Sequence, residues 1–258
     1  MTEIANVHGR RVWDSRGRPT VEAEVQLADG SIGRAIAPAG ASTGSGEAVD
    51  KRDGGDAFGG FDVQSAVAAV SGEISDALCG VDPRDQVAAD QTMIDLDGTP
   101  TKARLGGNAL VATSMAIAHA AAAAEGVPLW RYLAGGRQDF TLPLPEVQIF
   151  GGGAHAGRRV DIQDFMVIAT GAETYTQALE WTAEVYRAAG VLMADAGLMQ
   201  GVADEGGFWP AFETNELALD YLVRAIEGAG FTPGDEMAIS LDIAATDFGK
   251  NGRYDKRA

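Results

Sequence analysis

Gly201-Val202-Ala203-Asp204-Glu205-Gly206-Gly207 is the stretch from which the interpretation of this chain starts. A short apolar approach leads into two adjacent carboxylates, and two glycines follow at once. Because successive side chains of an extended segment point to opposite faces, Asp204 and Glu205 are expected to face different surroundings. The glycines allow a sharp turn and leave space for a ligand against the main chain. Taken alone, the stretch also fits a solvated acidic turn.

The segments around this stretch alternate between predicted strands and helices, which favours a barrel-type or doubly wound α/β domain. In barrels, acids at the carboxyl ends of strands are the usual catalytic positions, and Asp164, Glu205 and Asp242 all lie near predicted strand ends. The predicted strands are residues 142–150, 160–168, 198–203 and 237–242, and the predicted helices are residues 173–195 and 215–229.

The first half of the chain has a different pattern. Residues 21–27 alternate apolar and polar side chains, and with residues 3–12 and 31–37 they predict an antiparallel meander. A Gly-, Ser- and Thr-rich loop follows, and then helices for which Asp62 and Asn108 are candidate N-caps. We therefore predict a small sheet packed on helices, with a domain boundary that separates residues 1–136 from residues 137–258.

Charge and cysteine content limit the partners. The 258 residues include 37 Asp and Glu but only 20 Lys and Arg, which gives a net charge of -17. This negative charge repels nucleic acid and anionic membranes and attracts cations, so an anionic substrate needs metal ions or local basic groups. The start of the chain lacks a signal peptide, and the apolar run 109–124 is shorter than the roughly 20 residues of a membrane span. With Cys79 as the single cysteine, we expect a cytoplasmic protein without nucleic-acid or membrane partners.

A series of short motifs, taken in order, resembles the enolase family over essentially the whole chain. The resemblance implies an α+β amino-terminal domain followed by a partial α/β barrel of enolase (TIM-like) type. The motifs are Asp14-Ser15-Arg16-Gly17, Pro19-Thr20-Val21-Glu22, Gly40-Ala41-Ser42-Thr43-Gly44 with Glu47, Leu96-Asp97-Gly98-Thr99, Lys102, Asn108-Ala109, Gly152-Gly153-Ala154-His155-Ala156, Gln163, Phe165-Met166, Asp204-Glu205-Gly206-Gly207 and Ser240-Leu241-Asp242.

The activity that this resemblance implies is a lyase reaction of glycolysis, the reversible dehydration of 2-phosphoglycerate to phosphoenolpyruvate. That reaction removes a weakly acidic proton beside a carboxylate and expels hydroxide. It requires Mg2+ to stabilise the charge, a base to take the proton and an acid to protonate the leaving hydroxyl. The resemblance also suggests a homodimer.

Individual roles carry over to matching residues. Glu205 matches the general acid of the family. Asp242 matches the first of three carboxylates that hold the tighter metal, and an oxygen ligand suits Mg2+. Ser42, on the loop, matches the ligand of a second metal when the loop closes. His155 and Gln163 match substrate contacts.

The chain departs from the family pattern in two places and in length. Asp164 stands where the family carries Glu, so its hold on the leaving hydroxyl is expected to be weaker. Gly151-Gly152 replaces the usual Asn-Gly. Family chains run beyond Ala258, where the other metal carboxylates, the catalytic lysine and the phosphate-binding Arg-Ser stretch are expected. We therefore interpret the chain as a truncated enolase or a fragment of one, with little or no turnover if this is the whole polypeptide.

Three alternatives remain open. The chain could be an enolase-superfamily relative that acts on another acid, because fold likeness does not define the substrate. It could be an inactive truncated binding module. Gly40-Ala41-Ser42-Thr43-Gly44 also fits the nucleophile elbow of serine hydrolases, with His155 in the expected chain order. Pro38 before this motif and Ser45-Gly46 after it argue against the strand and helix that an elbow requires.

Overall fold

The chain folds into two compact units in a computed structural model that describes residues 2–40 and 42–254. The first unit contains the described residues of Met1–Gly40 and Gly46–Phe140. The second contains those of Ala41–Ser45 and Thr141–Ala258. The division thus falls after Phe140, and residues 42–45 of the long loop belong to the second unit.

A three-stranded antiparallel sheet forms the first part of unit 1. Its strands are β1 (Ile4–Trp13), β2 (Pro19–Leu27) and β3 (Ile32–Ala37), in the order β1-β2-β3. The alternation along β2 has the predicted consequence, because Val21, Ala23, Val25 and Leu27 are all buried and the intervening side chains are not. The predicted meander is confirmed.

Helices cover one face of this sheet. α4 approaches most closely: a Cβ added at Gly33 of β3 would lie 2.1 Å from the backbone nitrogen of Ala120. α4 is long and apolar enough to cross a membrane, but 67% of it is buried within the unit, as in the core helix of a folded domain. The helices are α1 (Gln64–Ala69), α2 (Ser75–Leu78), α3 (Gln86–Asp97), α4 (Gly107–Ala124) and α5 (Leu129–Leu133), with a π-helical segment Val70–Ile74 and a 3-10 turn Ala57–Gly60.

Both predicted N-caps of unit 1 are wrong. Asp62 instead forms a two-pronged ion pair with Arg11, at 2.9 and 3.1 Å, beside the start of α1. The side chain of Asp53 accepts hydrogen bonds from the first N–H groups of α1, and the bond from Gln64 N measures 2.6 Å. Asn108 lies inside α4 rather than before it. The competing partners are distant in sequence, so the local pattern did not indicate them.

Unit 2 contains a five-stranded sheet covered by two amphipathic helices. The sheet order is β6-β7-β4-β5-β8, and within the described residues it is open, with β6 and β8 as its outer strands. Neighbouring strands are antiparallel except β4 and β7. The elements are β4 (Glu146–Gly151), β5 (Asp164–Ile168), α6 (Tyr175–Asp195), β6 (Met199–Val202), β7 (Phe208–Pro210), α7 (Asn215–Gly228), β8 (Ala238–Asp242), β9 (Gly249–Lys250) and β10 (Arg253–Tyr254), with 3-10 turns Gly153–Ala156 and Ala245–Asp247.

Strand direction corrects one prediction about this sheet. Asp164 lies at the amino end of β5, not near a carboxyl end. Because β5 runs antiparallel to β4 and β8, its first residue is in register with Gly151 on one side and Asp242 on the other. Asp164 therefore still lies at the sheet edge where its two neighbours end.

Candidate active site

The two adjacent acids lie in a tight turn between β6 and β7, residues 203–207, which we call the acidic turn. Ala203 N donates to Gly207 O at 2.7 Å, and Gly206 N donates to Ala203 O at 3.0 Å. Gly206 has a φ of +97°, a conformation that glycine adopts without strain. Because the segment turns instead of continuing as a strand, the alternation expected for Asp204 and Glu205 does not occur.

Both acids of the acidic turn approach the same buried side chain, His155. Glu205 Oε1 lies 3.4 Å from Nε2, and Asp204 Oδ2 lies 3.9 Å from Nδ1. Asp164 Oδ1 lies 3.9 Å from Nε2. The expectation that Asp204 and Glu205 face different surroundings is therefore wrong. The imidazole lies among three carboxylates.

His155 is 6% exposed and has no hydrogen-bond partner for either ring nitrogen within the described residues. A buried polar group without a partner costs about 1–3 kcal/mol. The side-chain oxygen of Gln163, another buried residue, likewise has no hydrogen-bond partner within the described residues. Both residues lie beside Asp164, so their unpartnered atoms are candidate contacts for a polar ligand.

Two side-chain amides hold the carboxylate of Asp164. Gln163 Nε2 donates to Asp164 Oδ2 at 3.1 Å and to Asp242 Oδ2 at 3.2 Å, so it links the acids of neighbouring strands. Gln148 Nε2 donates to Asp164 Oδ1, and Gln148 Oε1 accepts from Gly207 N at 2.9 Å. Asp164 is 3% exposed, and these donors stabilise its charge.

The electrostatics of the cluster change the protonation of Glu205. Partial burial raises the pKa of its carboxyl, and the charges of Asp164, Asp242 and Asp204 raise it further, while His155 acts in the opposite direction. The Glu205 side chain is nevertheless 53% exposed. It is therefore an acid that retains its proton to higher pH than usual and remains accessible to a substrate.

Comparison with known families identifies the first half of the chain. Residues 4–133, half of the sequence, match the family described as "Enolase, N-terminal domain". The chain belongs to the enolase family. Residues 139–258 match "Enolase, C-terminal TIM barrel domain". The enolase match and the open sheet confirm the predicted fold class, an α+β domain followed by a partial barrel, and membership indicates a lyase-type enzyme family.

Three side chains of this site form a possible metal-binding group. One donor atom each from His155, Asp164 and Glu205 lie within 4.8 Å of one another. Carboxylate oxygens suit Mg2+, whereas imidazole is a ligand for softer metals, so the acids fit Mg2+ better than His155 does. The group differs from the pair expected from the enolase resemblance, which was Asp242 and Ser42.

The two expected metal ligands have separate positions. Asp242 ends β8, is exposed, and accepts from Gln163 and, through Oδ1, from Ala244 N at 2.9 Å. Ser42 is half-buried and belongs to the second unit. The described residues between β3 and the 3-10 turn at Ala57 form neither strand nor helix. The described residues around Ser42 therefore lack the strand and helix that a hydrolase elbow requires.

Sequence reasoning missed two residues that support the acidic turn. Gln148 is a buried amide within the apolar strand β4, and that polar residue in an apolar run is a signal that could have indicated it. Tyr186 of α6 donates its hydroxyl to Gly206 O at 2.8 Å and stacks on Phe208, with centroids 4.3 Å apart. No sequence pattern singles out Tyr186.

Proposed function

We propose that this enolase-family protein catalyses the Mg2+-dependent, reversible dehydration of 2-phosphoglycerate to phosphoenolpyruvate. The observation that carries the proposal is the buried His155, unpartnered within the described residues, among Asp164, Asp204 and Glu205. Such a group of acids at one sheet edge suits a reaction that moves a proton and expels hydroxide. The glycolytic role, a cytoplasmic location and a homodimeric state are parts of the same proposal.

Glu205 is the proposed general acid. A leaving hydroxyl requires a proton, and an acid donates it most efficiently when its pKa lies near the working pH. The raised pKa of Glu205 moves it in that direction. Its half-exposed side chain, next to a buried ring, can reach a substrate that enters from the open side.

His155 and Gln163 are the proposed substrate contacts. The ring nitrogens of His155 and the carbonyl oxygen of Gln163 are free to bond polar groups of a phosphorylated hydroxy acid. Asp164, held by two amides, is the proposed partner of the departing hydroxyl. These two hydrogen bonds orient its carboxylate before the substrate binds.

The residues that would hold Mg2+ are Asp242 and, from the loop, Ser42. Bound Mg2+ would stabilise the negative charge that develops on the substrate carboxylate. The net charge of -17 adds a reason for a cation, because a doubly charged anion would otherwise be repelled. The hydrogen bond that Gln163 Nε2 donates to Asp242 Oδ2 orients that carboxylate at the edge shared with Asp164.

Glu205→Gln tests the proposal in the natural polypeptide that contains this sequence. Glutamine preserves shape but cannot donate a proton as an acid, so we expect kcat for phosphoenolpyruvate formation to fall by about 10²–10⁴-fold. Glu180→Gln, an exposed position on α6, is the matched control and should retain turnover. Unchanged turnover in Glu205→Gln would refute the role of this acid.

A second candidate is the dehydration of a related acid. Asp164, in place of the family's Glu, and Gly151, in place of Asn, both alter the site and favour this alternative. A panel of phosphorylated and non-phosphorylated 2- and 3-hydroxy acids separates the two functions by kcat/KM. A preference for another acid over 2-phosphoglycerate would replace the first candidate.

A further inference from the structure

Gln148 joins the two parts of the site that otherwise belong to different segments. Its side chain is 7% exposed and extends from β4. Its Nε2 donates to Asp164 Oδ1, and its Oε1 accepts from Gly207 N at 2.9 Å. One planar amide therefore contacts both the carboxylate at the start of β5 and the end of the acidic turn.

The packing around this amide leaves it little freedom. A Cβ added at Gly207 would lie 2.6 Å from Gln148 Oε1 and 2.9 Å from its Cγ, so any side chain there would displace the amide. A Cβ added at Gly151 would lie 3.5 Å from Gln148 Nε2. The absence of a side chain at Gly207 therefore provides the space that the amide of Gln148 occupies, and Gly151 lies at ordinary contact distance on the other side.

The long side chain of Gln148 complements the short side chain of Asp164. The side chain of Asp164 has a single methylene, so its carboxylate stays close to the backbone at the start of β5. Gln148 reaches Asp164 across the strand pair and provides an amide at this location. The contact thus depends on the combined length of two side chains from neighbouring strands.

We propose that Gln148 is a positioning residue, which holds Asp164 and the acidic turn with Glu205 in one fixed arrangement. Gln148 acts through these acids and does not touch the substrate. Its loss leaves the carboxylate of Asp164 with Gln163 as its remaining side-chain donor and releases one anchor of the acidic turn. This inference rests on the proposed dehydration, because positioning is measured as turnover.

The first test removes the amide. Gln148→Met keeps the length and apolar stem but neither donates to Asp164 nor accepts from Gly207. We expect kcat to fall about 10–100-fold, as for lost partners that orient reactive groups, with KM changed less than about threefold. Thr182→Val, which removes a buried hydroxyl on α6, is the control for general destabilisation and should keep kcat. A kcat in Gln148→Met equal to wild type would overturn the proposal.

The second test shortens one side chain of the contact by one methylene and lengthens the other by one. Gln148→Asn and Asp164→Glu each mismatch the combined length, and the double variant restores it. We expect each single variant to lose turnover and the double variant to regain the part that depends on the contact with Asp164, a coupling that independent sites do not show. The contact with Gly207 N stays lost in the double variant, so full recovery is not expected. Additive losses in the double variant would contradict a length-matched contact.

Amide hydrogen exchange separates this inference from the proposed function. Gln148→Met should accelerate exchange at Gly207 N–H, whereas the control Thr182→Val should leave the protection of this group unchanged. This readout does not need catalysis. If wild-type protein lacked dehydratase activity, the proposed function would be wrong, and unchanged exchange at Gly207 in Gln148→Met would overturn the anchoring as well.

Discussion

Gly151→Ala is the substitution whose effect on the site can be worked out most directly from the coordinates. Gly151 does not have a positive φ, so the backbone tolerates alanine and only the added methyl group matters. That Cβ would lie 2.4 Å from Ala203 Cβ, whereas such contacts ordinarily measure 3.4 Å or more. Gly151 and the start of the acidic turn must therefore move apart by about 1 Å, and overpacking of this kind costs about 1–3 kcal/mol.

The displaced segment begins the acidic turn, so stability and turnover should both fall. With about 2–4 °C of Tm per kcal/mol for a protein of this size, we expect a Tm decrease of about 2–12 °C by calorimetry. Ala203→Gly removes the opposing methyl group and by itself costs about 0.5–1 kcal/mol. The double variant should recover part of the loss from Gly151→Ala. Full additivity of the two losses, or a Gly151→Ala protein as stable and active as wild type, would refute the steric reasoning.

Two further predictions concern stability and pH. Because the pKa of Glu205 is raised, its ionised form destabilises the folded state. Glu205→Gln should therefore raise Tm near neutral pH. This gain in Tm should vanish as pH falls below about 4.3, the ordinary pKa of a glutamate carboxyl. A gain independent of pH would contradict this. Burial raises the pKa of Asp53, but hydrogen bonds from Ser65 and Gln64 outweigh it, and the pKa is lowered. Asp53→Ala should therefore reduce the free energy of unfolding by about 0.5–2 kcal/mol at neutral pH. The loss should be smaller at low pH, where the wild-type carboxyl is protonated. Denaturant unfolding measures this, with the exposed Asp56→Ala as control.

The periodic elements of the fold could be predicted from the sequence. β2 alternates because one face is buried, and α6 and α7 have the apolar stripe of helices packed on a sheet. Strand ends were less accurate: the strand expected at residues 142–150 begins at Glu146. The hairpin partner β7 was missed because three residues carry too little pattern to indicate a strand.

The candidate site residues were predicted from the resemblance to the enolase family and not from a signal in the residues themselves. Glu205 and His155 were both predicted, and they lie 3.4 Å apart. Their geometry was not predictable, because it depends on a turn that directs both acids toward one ring. Gln148 was missed since its partners lie 16 and 59 positions away in the chain. Contacts at such separation leave no local pattern.

The central claim is that these acids serve a Mg2+-dependent dehydration, and its most direct test is phosphoenolpyruvate formation from 2-phosphoglycerate with and without Mg2+. The sample is the natural polypeptide that contains residues 1–258, with its intact mass measured on the same preparation. Turnover should disappear when a chelator removes divalent cations and return when Mg2+ is added. Turnover that persists in the chelator, or no product at saturating substrate and Mg2+, would contradict the account.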